Sequence, residues 1–151
     1  MPFSNIIQTH ITDAQIVQLD AAIKNIEDVV SQLTLNLSPD ERNRFGSINE
    51  QNKLLANKIF DYHQTNPDLQ SPDVDWNEFE SDYRDRQVLE TRILRLQSII
   101  KMATDAKTLH DFDNYQNALT DYQYTKYKDE TSGGGAYSIK HRELKQFFPN
   151  S

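Results

Sequence analysis

Thr12 to Leu37 reads TDAQIVQLDAAIKNIEDVVSQLTLNL, and this stretch decides the fold class. Ile16, Leu19, Ile23, Ile26, Val30, Leu33 and Leu37 recur at alternating steps of three and four. That spacing keeps one stripe of a helix turned toward its neighbours and forms an unbroken heptad seam. Thr12 with Gln15 is a capping box, and Ile11 can staple onto Ile16. The pattern predicts a helix from Asp13 to about Leu35, preceded by an N-terminal arm, residues 1–11.

Outward from this stretch the same grammar repeats. Ser38-Pro39-Asp40-Glu41 offers an N-cap, a first-turn proline and a capping glutamate, with the short helix failing at Gly46. Ser47 and Glu50 suggest the next cap, followed by an amphipathic helix carrying Ile48, Leu55, Ile59 and Tyr62 that stops before Asn66-Pro67. Asp75 with Glu78, and Val74 against Phe79, open a third helix, on which Trp76, Phe79 and Tyr83 lead into Leu89, Ile93, Leu96, Ile100 and Ala103. A turn is expected between Met102 and Thr108, then a fourth helix bearing Leu109, Phe112, Tyr115, Leu119 and Tyr122. Residues 131–136, with three consecutive glycines, read as a flexible linker, and 137–148 as a short C-terminal helix stopped by Pro149. No segment keeps a period of two. The expectation is an all-α single domain, an up-down-up-down four-helix bundle with a short C-terminal helix after the glycine linker.

Composition sets the outer limits. The chain has 151 residues, enough for one ordinary core, and 36% of them are hydrophobic. Sixteen Lys and Arg against 23 Asp and Glu give a net charge of −7, which repels phosphate backbones and argues against nucleic-acid partners. With no cysteine there are no disulfides, thiolate metal sites or cysteine nucleophiles. The first ten residues lack a basic-then-apolar signal pattern, and no stretch reaches the ~20 apolar residues that cross a bilayer. The expectation is a cytoplasmic protein without a membrane partner.

The heptad-rich first helix, Leu37-Ser38-Pro39-Asp40-Glu41-Arg42, Asn66-Pro67-Asp68-Leu69 and Leu144-Lys145-Gln146-Phe147-Phe148-Pro149 stand together in one chain. In this combination the sequence resembles a family of small helical-bundle proteins from Bacteroidetes-type bacteria that carries no assigned activity. The resemblance covers most of the chain and implies the bundle fold. The family's last loop is often less glycine-rich than Thr131–Gly135, and no site residue carries over.

Four constellations bear on chemistry. Di-iron bundles need Glu-x-x-His on two helices, and none of His10, His63, His110 or His141 has Glu three positions earlier. His110 with Asp111 and Asp113 is the closest local cluster, to which His63 and His141 would have to fold to complete a three-histidine site. Asp82 and Arg86 interrupt the third helix's seam one turn apart, as a buried ion pair or as a ligand pocket with Arg86 anchoring an anion. Gly133–Gly135 lacks P-loop spacing and does not follow a strand. No Ser-His-Asp grouping or metalloprotease motif is legible in the sequence.

The seven tyrosines are the remaining signal. Tyr62, Tyr83, Tyr115 and Tyr122 fall on or beside apolar faces and are expected in the core. Tyr124 and Tyr127 lie off the seam, where they suit a protein contact or a cover formed by the C-terminal segment with its Tyr137, Phe147 and Phe148. The sequence therefore points to a non-catalytic interaction or structural bundle without cofactor or metal, acting on a protein partner or on itself. The alternative is a small-ligand-binding bundle or enzyme using Asp82/Arg86 or His110/Asp111.

Overall fold

The computed structural model describes residues 4–33, 35–132 and 134–148. Among them all regular structure is helical: α1 (Asp13–Leu33), α2 (Pro39–Phe45), α3 (Glu50–Thr65), a 3₁₀ turn (Pro67–Leu69), α4 (Trp76–Ser132) and α5 (Ala136–Lys145). Residues 1–3 of the arm, Thr34, Gly133 of the linker and the Pro149 stop lie outside the described residues.

Local chemistry sets the helix starts. Thr12 and Gln15 bond reciprocally at 3.0 and 3.1 Å, and Ser38 forms a complete capping box with Glu41. Asp75 accepts from the Glu78 N–H at 3.2 Å. The cap of α3 differs from expectation. Ser47 turns back to donate to the Arg44 carbonyl, so Asn49 takes the N-cap position and accepts from Asn52 at 2.9 Å. The larger correction concerns the turn expected between Met102 and Thr108: α4 runs through it without a break. Lys101 to Thr108 contains no glycine or proline, is rich in good helix formers, and is bridged onward by Lys107 to Asp111 at 2.7 Å. What ends α4 is the glycine run. Gly134 and Gly135 have φ of 121° and 78°, backbone that residues with a Cβ rarely adopt. The last helix, α5, is shorter than the expected 137–148 and ends in a turn at Gln146 and Phe147.

The chain divides into two compact units, Ile11–Arg95 and Met1–His10 with Leu96–Ser151, and α4 contributes to both. In the first, α3 meets the start of α4 through an unexpected face. Phe60 stacks on Tyr83 at 4.0 Å between centroids, and Asn57 accepts from Arg86. Leu55 and Tyr62, assigned to the apolar stripe, are exposed. Among the described residues of the second unit, Asp113, Tyr122 and Thr125 are buried. Of the four tyrosines expected in the core, Tyr122 is buried and Tyr83 half-buried, whereas Tyr62 and Tyr115 are exposed.

Candidate functional sites

The arm is held by one carboxylate. Asp113, on α4, is 2% exposed and accepts the N–H of Ile6 at 2.9 Å and of Ile7 at 3.0 Å, one on each oxygen. A helical residue thus satisfies two consecutive backbone donors, and bonds to a charged acceptor are the stronger kind. Asn117, one turn on, donates to Asn5 and to the Asp113 carbonyl. His10 packs its ring on His110 at 5.6 Å. The members of the supposed metal cluster are therefore occupied separately: Asp111 with Lys107, Asp113 with the arm, His110 with His10. Among the described residues no three His, Asp or Glu side chains converge on a cation position.

A second carboxylate holds the C-terminal segment. Asp129 accepts from the Ser138 hydroxyl on one oxygen and pairs through the other with His141 Nδ1 at 2.7 Å. Ser138 and His141 lie one turn apart on α5, so a single side chain of α4 fixes the helix along its axis. The Ser138 hydroxyl, then His141, and the nearby positive charge of Arg142 hold the Asp129 carboxyl below its ordinary 3.8. Around this node Phe148 stacks on Tyr122 at 4.4 Å, Tyr137 meets Tyr124 edge-on at 6.2 Å, and Lys140 reaches Asp121 at 2.7 Å.

Serine, histidine and aspartate do come together here, contrary to the sequence reading, but with the carboxylate at the centre. A nucleophilic relay needs the serine on the imidazole, and this serine faces the aspartate instead. The arrangement is a clamp. Of the five residues assigned to an interaction surface, Tyr137 and Phe148 turn onto α4, while Tyr124, Tyr127 and Phe147 remain 52, 59 and 71% exposed.

In the unit Ile11–Arg95 the 3₁₀ turn and the loop to Asp75 fold back over α3. His63 Nδ1 meets the Gln70 side-chain oxygen at 2.5 Å and Nε2 meets Glu80 at 2.7 Å. With acceptors at both nitrogens the doubly protonated ring is favoured: Gln70 most, then Glu80, raise the pKa above its ordinary 6.5 against partial desolvation. Trp76 stacks on the ring at 4.6 Å and anchors its own indole N–H on the Ser71 carbonyl at 2.8 Å. Beside them lies a cleft of about 420 Å³ whose wall is mainly apolar, with Ile59, Tyr62, Leu69 and Val74.

The remaining expected pair does not form. Asp82 is exposed, and Arg86 turns to Asn57 Oδ1 at 2.7 Å while its guanidinium lies 5.0 Å above the Tyr83 ring. Its Nε is buried without a hydrogen-bond partner. Arginine found a neutral acceptor on α3 and an aromatic face in place of a carboxylate on its own helix.

The seam of α1 is the other feature with functional content. Ile16, Leu19, Ile23, Ile26, Val30 and Leu33 stand between 40 and 64% exposed, six apolar residues at unbroken heptad spacing. Among the described residues no helix is long and apolar enough to cross a membrane. Compared with known proteins, the chain matches no family model, no curated relative and no solved structure.

Proposed function

We propose that this chain is a non-catalytic interaction or structural protein that works by presenting apolar helical faces to a protein partner or to itself. The observation that carries this reading is the exposed seam of α1. Most helical stability in proteins comes from packing an amphipathic face rather than from intrinsic propensity, and the 21 residues of α1 include only Ala14, Ala21 and Ala22 as alanines. A helix of that composition persists when its stripe is covered, and exposed stripes of this kind mark docking surfaces.

The four-helix arrangement belongs to the same proposal in altered form. Among the described residues α4 runs unbroken, so the long helices are α1, α3 and α4, and the stripe of α1 is the face open to an added helix. Tyr127 and Phe147, both exposed, offer further aromatic contacts of the same kind. The proposal includes a cytoplasmic setting and, from the net charge of −7, a partner other than nucleic acid. Affinity purification from the native cell tests it. Leu19→Asp/Ile26→Asp should lose the co-purifying proteins or additional copies of the chain that the outward-facing control Lys24→Asp retains. Identical recovery from both variants would refute the reading.

The cleft beside His63 supports a second reading, a small apolar ligand, since its volume falls within the range of ligand sites. Fluorescence of Trp76, the one tryptophan of the chain, would respond to such an occupant.

A further inference from the structure

Which helix covers the seam of α1 is written in the residues of the seam and its borders. Written as heptads, Ile16, Ile23 and Val30 occupy the first apolar position and Leu19, Ile26 and Leu33 the second. β-Branched residues at the first position with leucine prevailing at the second favour two parallel strands, because those side chains fit the packing geometry of that pair. No polar residue interrupts the six.

The flanking charges fix the orientation. Asp20 and Glu27 border one edge of the seam; Gln15, Ala22 and Val29 border the other. In a parallel pair of identical helices each edge faces the opposite edge of its neighbour, so Asp20 meets Gln15 and Glu27 meets Ala22. An antiparallel pair would set Asp20 against Glu27, two carboxylates facing each other across the interface. Lys24 and Asp28 bond each other at 3.1 Å on the outer face and do not enter either arrangement. The six seam residues, 40 to 64% exposed, with Ala22 and Val29 make a stripe of eight side chains per chain, fewer than the roughly 20–30 residues a side of a standard specific interface.

Building on the interaction reading above, we infer that α1 pairs with α1 of a second copy as a parallel, in-register two-stranded coiled coil. An interface of this size gives a reversible dimer. Sedimentation velocity of the full chain over a wide range of concentration should therefore show monomer converting to dimer. Ile23→Asp places a charge at the centre of the seam and should weaken the dimer about 100-fold or more, while Ala21→Lys on the outer face leaves it unchanged. Orientation is read by oxidative crosslinking, without background because the chain has no cysteine. Leu19→Cys should crosslink to itself. Crosslinking only of a Leu19→Cys and Val30→Cys mixture would overturn the parallel arrangement, and a dimer indifferent to Ile23→Asp would overturn the use of α1. A monomer at every concentration overturns the dimer altogether. Hydrogen exchange of α1 in that monomer then separates the two proposals: rapid exchange leaves the face open to a different protein, and strong protection removes the interaction reading as well.

Discussion

The two chain ends that meet α4 and the helix α1 solve the same problem in opposite ways. The arm and the C-terminal segment are attached by individual polar residues, Asp113 gripping two backbone N–H groups and Asp129 gripping Ser138 and His141. Apolar contact there includes Phe148 stacked on Tyr122. In α1 the apolar pattern is complete, yet the seam stays exposed. Periodicity states that a helix needs a partner; a buried carboxylate with two directed donors states which segment the partner is. The difference separates attachments encoded within the chain from a surface left to be covered.

The most damaging break to that contrast should be removal of the attached segment. Truncation after Thr131 deletes α5 with Tyr137, Leu144 and Phe148, whose burial contributes about 3–6 kcal/mol before ordering costs. About 2–3 kcal/mol of this should survive as net stability, lowering the melting temperature by about 5–10 °C in calorimetry. An unchanged melting temperature would mean that the clamp holds the segment without stabilising the unit.

Asp113→Ala should come next. It leaves the Ile6 and Ile7 N–H groups without their acceptor, and bonds to an ionised carboxylate are worth about 1.5–3 kcal/mol each before the arm's regained entropy is subtracted. A loss of about 2 kcal/mol is expected in denaturant unfolding, with faster hydrogen exchange at Ile6 and Ile7. Exchange unaffected at these two amides would show that the arm is held by something other than Asp113.

Arg86 should matter less. Arg86→Met removes one bond to Asn57 and a cation over Tyr83, while methionine retains packing against the ring, so about 1 kcal/mol is expected. Because Asp82 is exposed and is not the partner, Asp82→Asn should add independently in the double variant. A coupling above about 0.5 kcal/mol would restore the intrahelical pair that the sequence suggests.

How much was legible follows the same division. The caps at Thr12, Ser38 and Asp75 each have both partners within three residues, so sequence alone places these helix starts. The turn expected near Met102 had no breaker behind it, only the expectation that a bundle reverses. The Asp113 clamp left no trace because its partners are backbone groups of Ile6 and Ile7, which any residue type would supply. Asp129 was closer to visible: an acidic residue in the last turn before a glycine run, with Ser138 and His141 one turn apart beyond it, is what a reversing chain needs to clamp itself. The His63 node depends on the 3₁₀ turn at Pro67–Leu69 bringing Gln70 back to α3, a geometry that a proline in a loop permits without specifying.

The smallest effects, those of pH, sharpen the comparison because the two histidine–carboxylate nodes respond in opposite directions. Asp129 has a lowered pKa, so its contribution is present above the ordinary carboxylate value and is lost as pH falls through the lower folded value. His63 has a raised pKa, so its contribution is complete below about 6.5 and is lost as pH rises through the higher folded value. The Ile11–Arg95 unit should therefore lose stability as pH rises above the ordinary histidine value of 6.5, where the Asp129 clamp is intact. Trp76 reports the transition directly, since an imidazolium stacked at 4.6 Å quenches indole emission and a neutral ring does so less. Its fluorescence should rise with pH at a midpoint above that of an unstructured histidine. Gln70→Met should bring the midpoint down most and Glu80→Gln next, because the Gln70 oxygen is the stronger cause of the shift and Glu80 adds a second bond and a charge. A midpoint indifferent to both substitutions would show that His63 titrates outside this node, and the contrast between the two clamps would then rest on Asp129 alone.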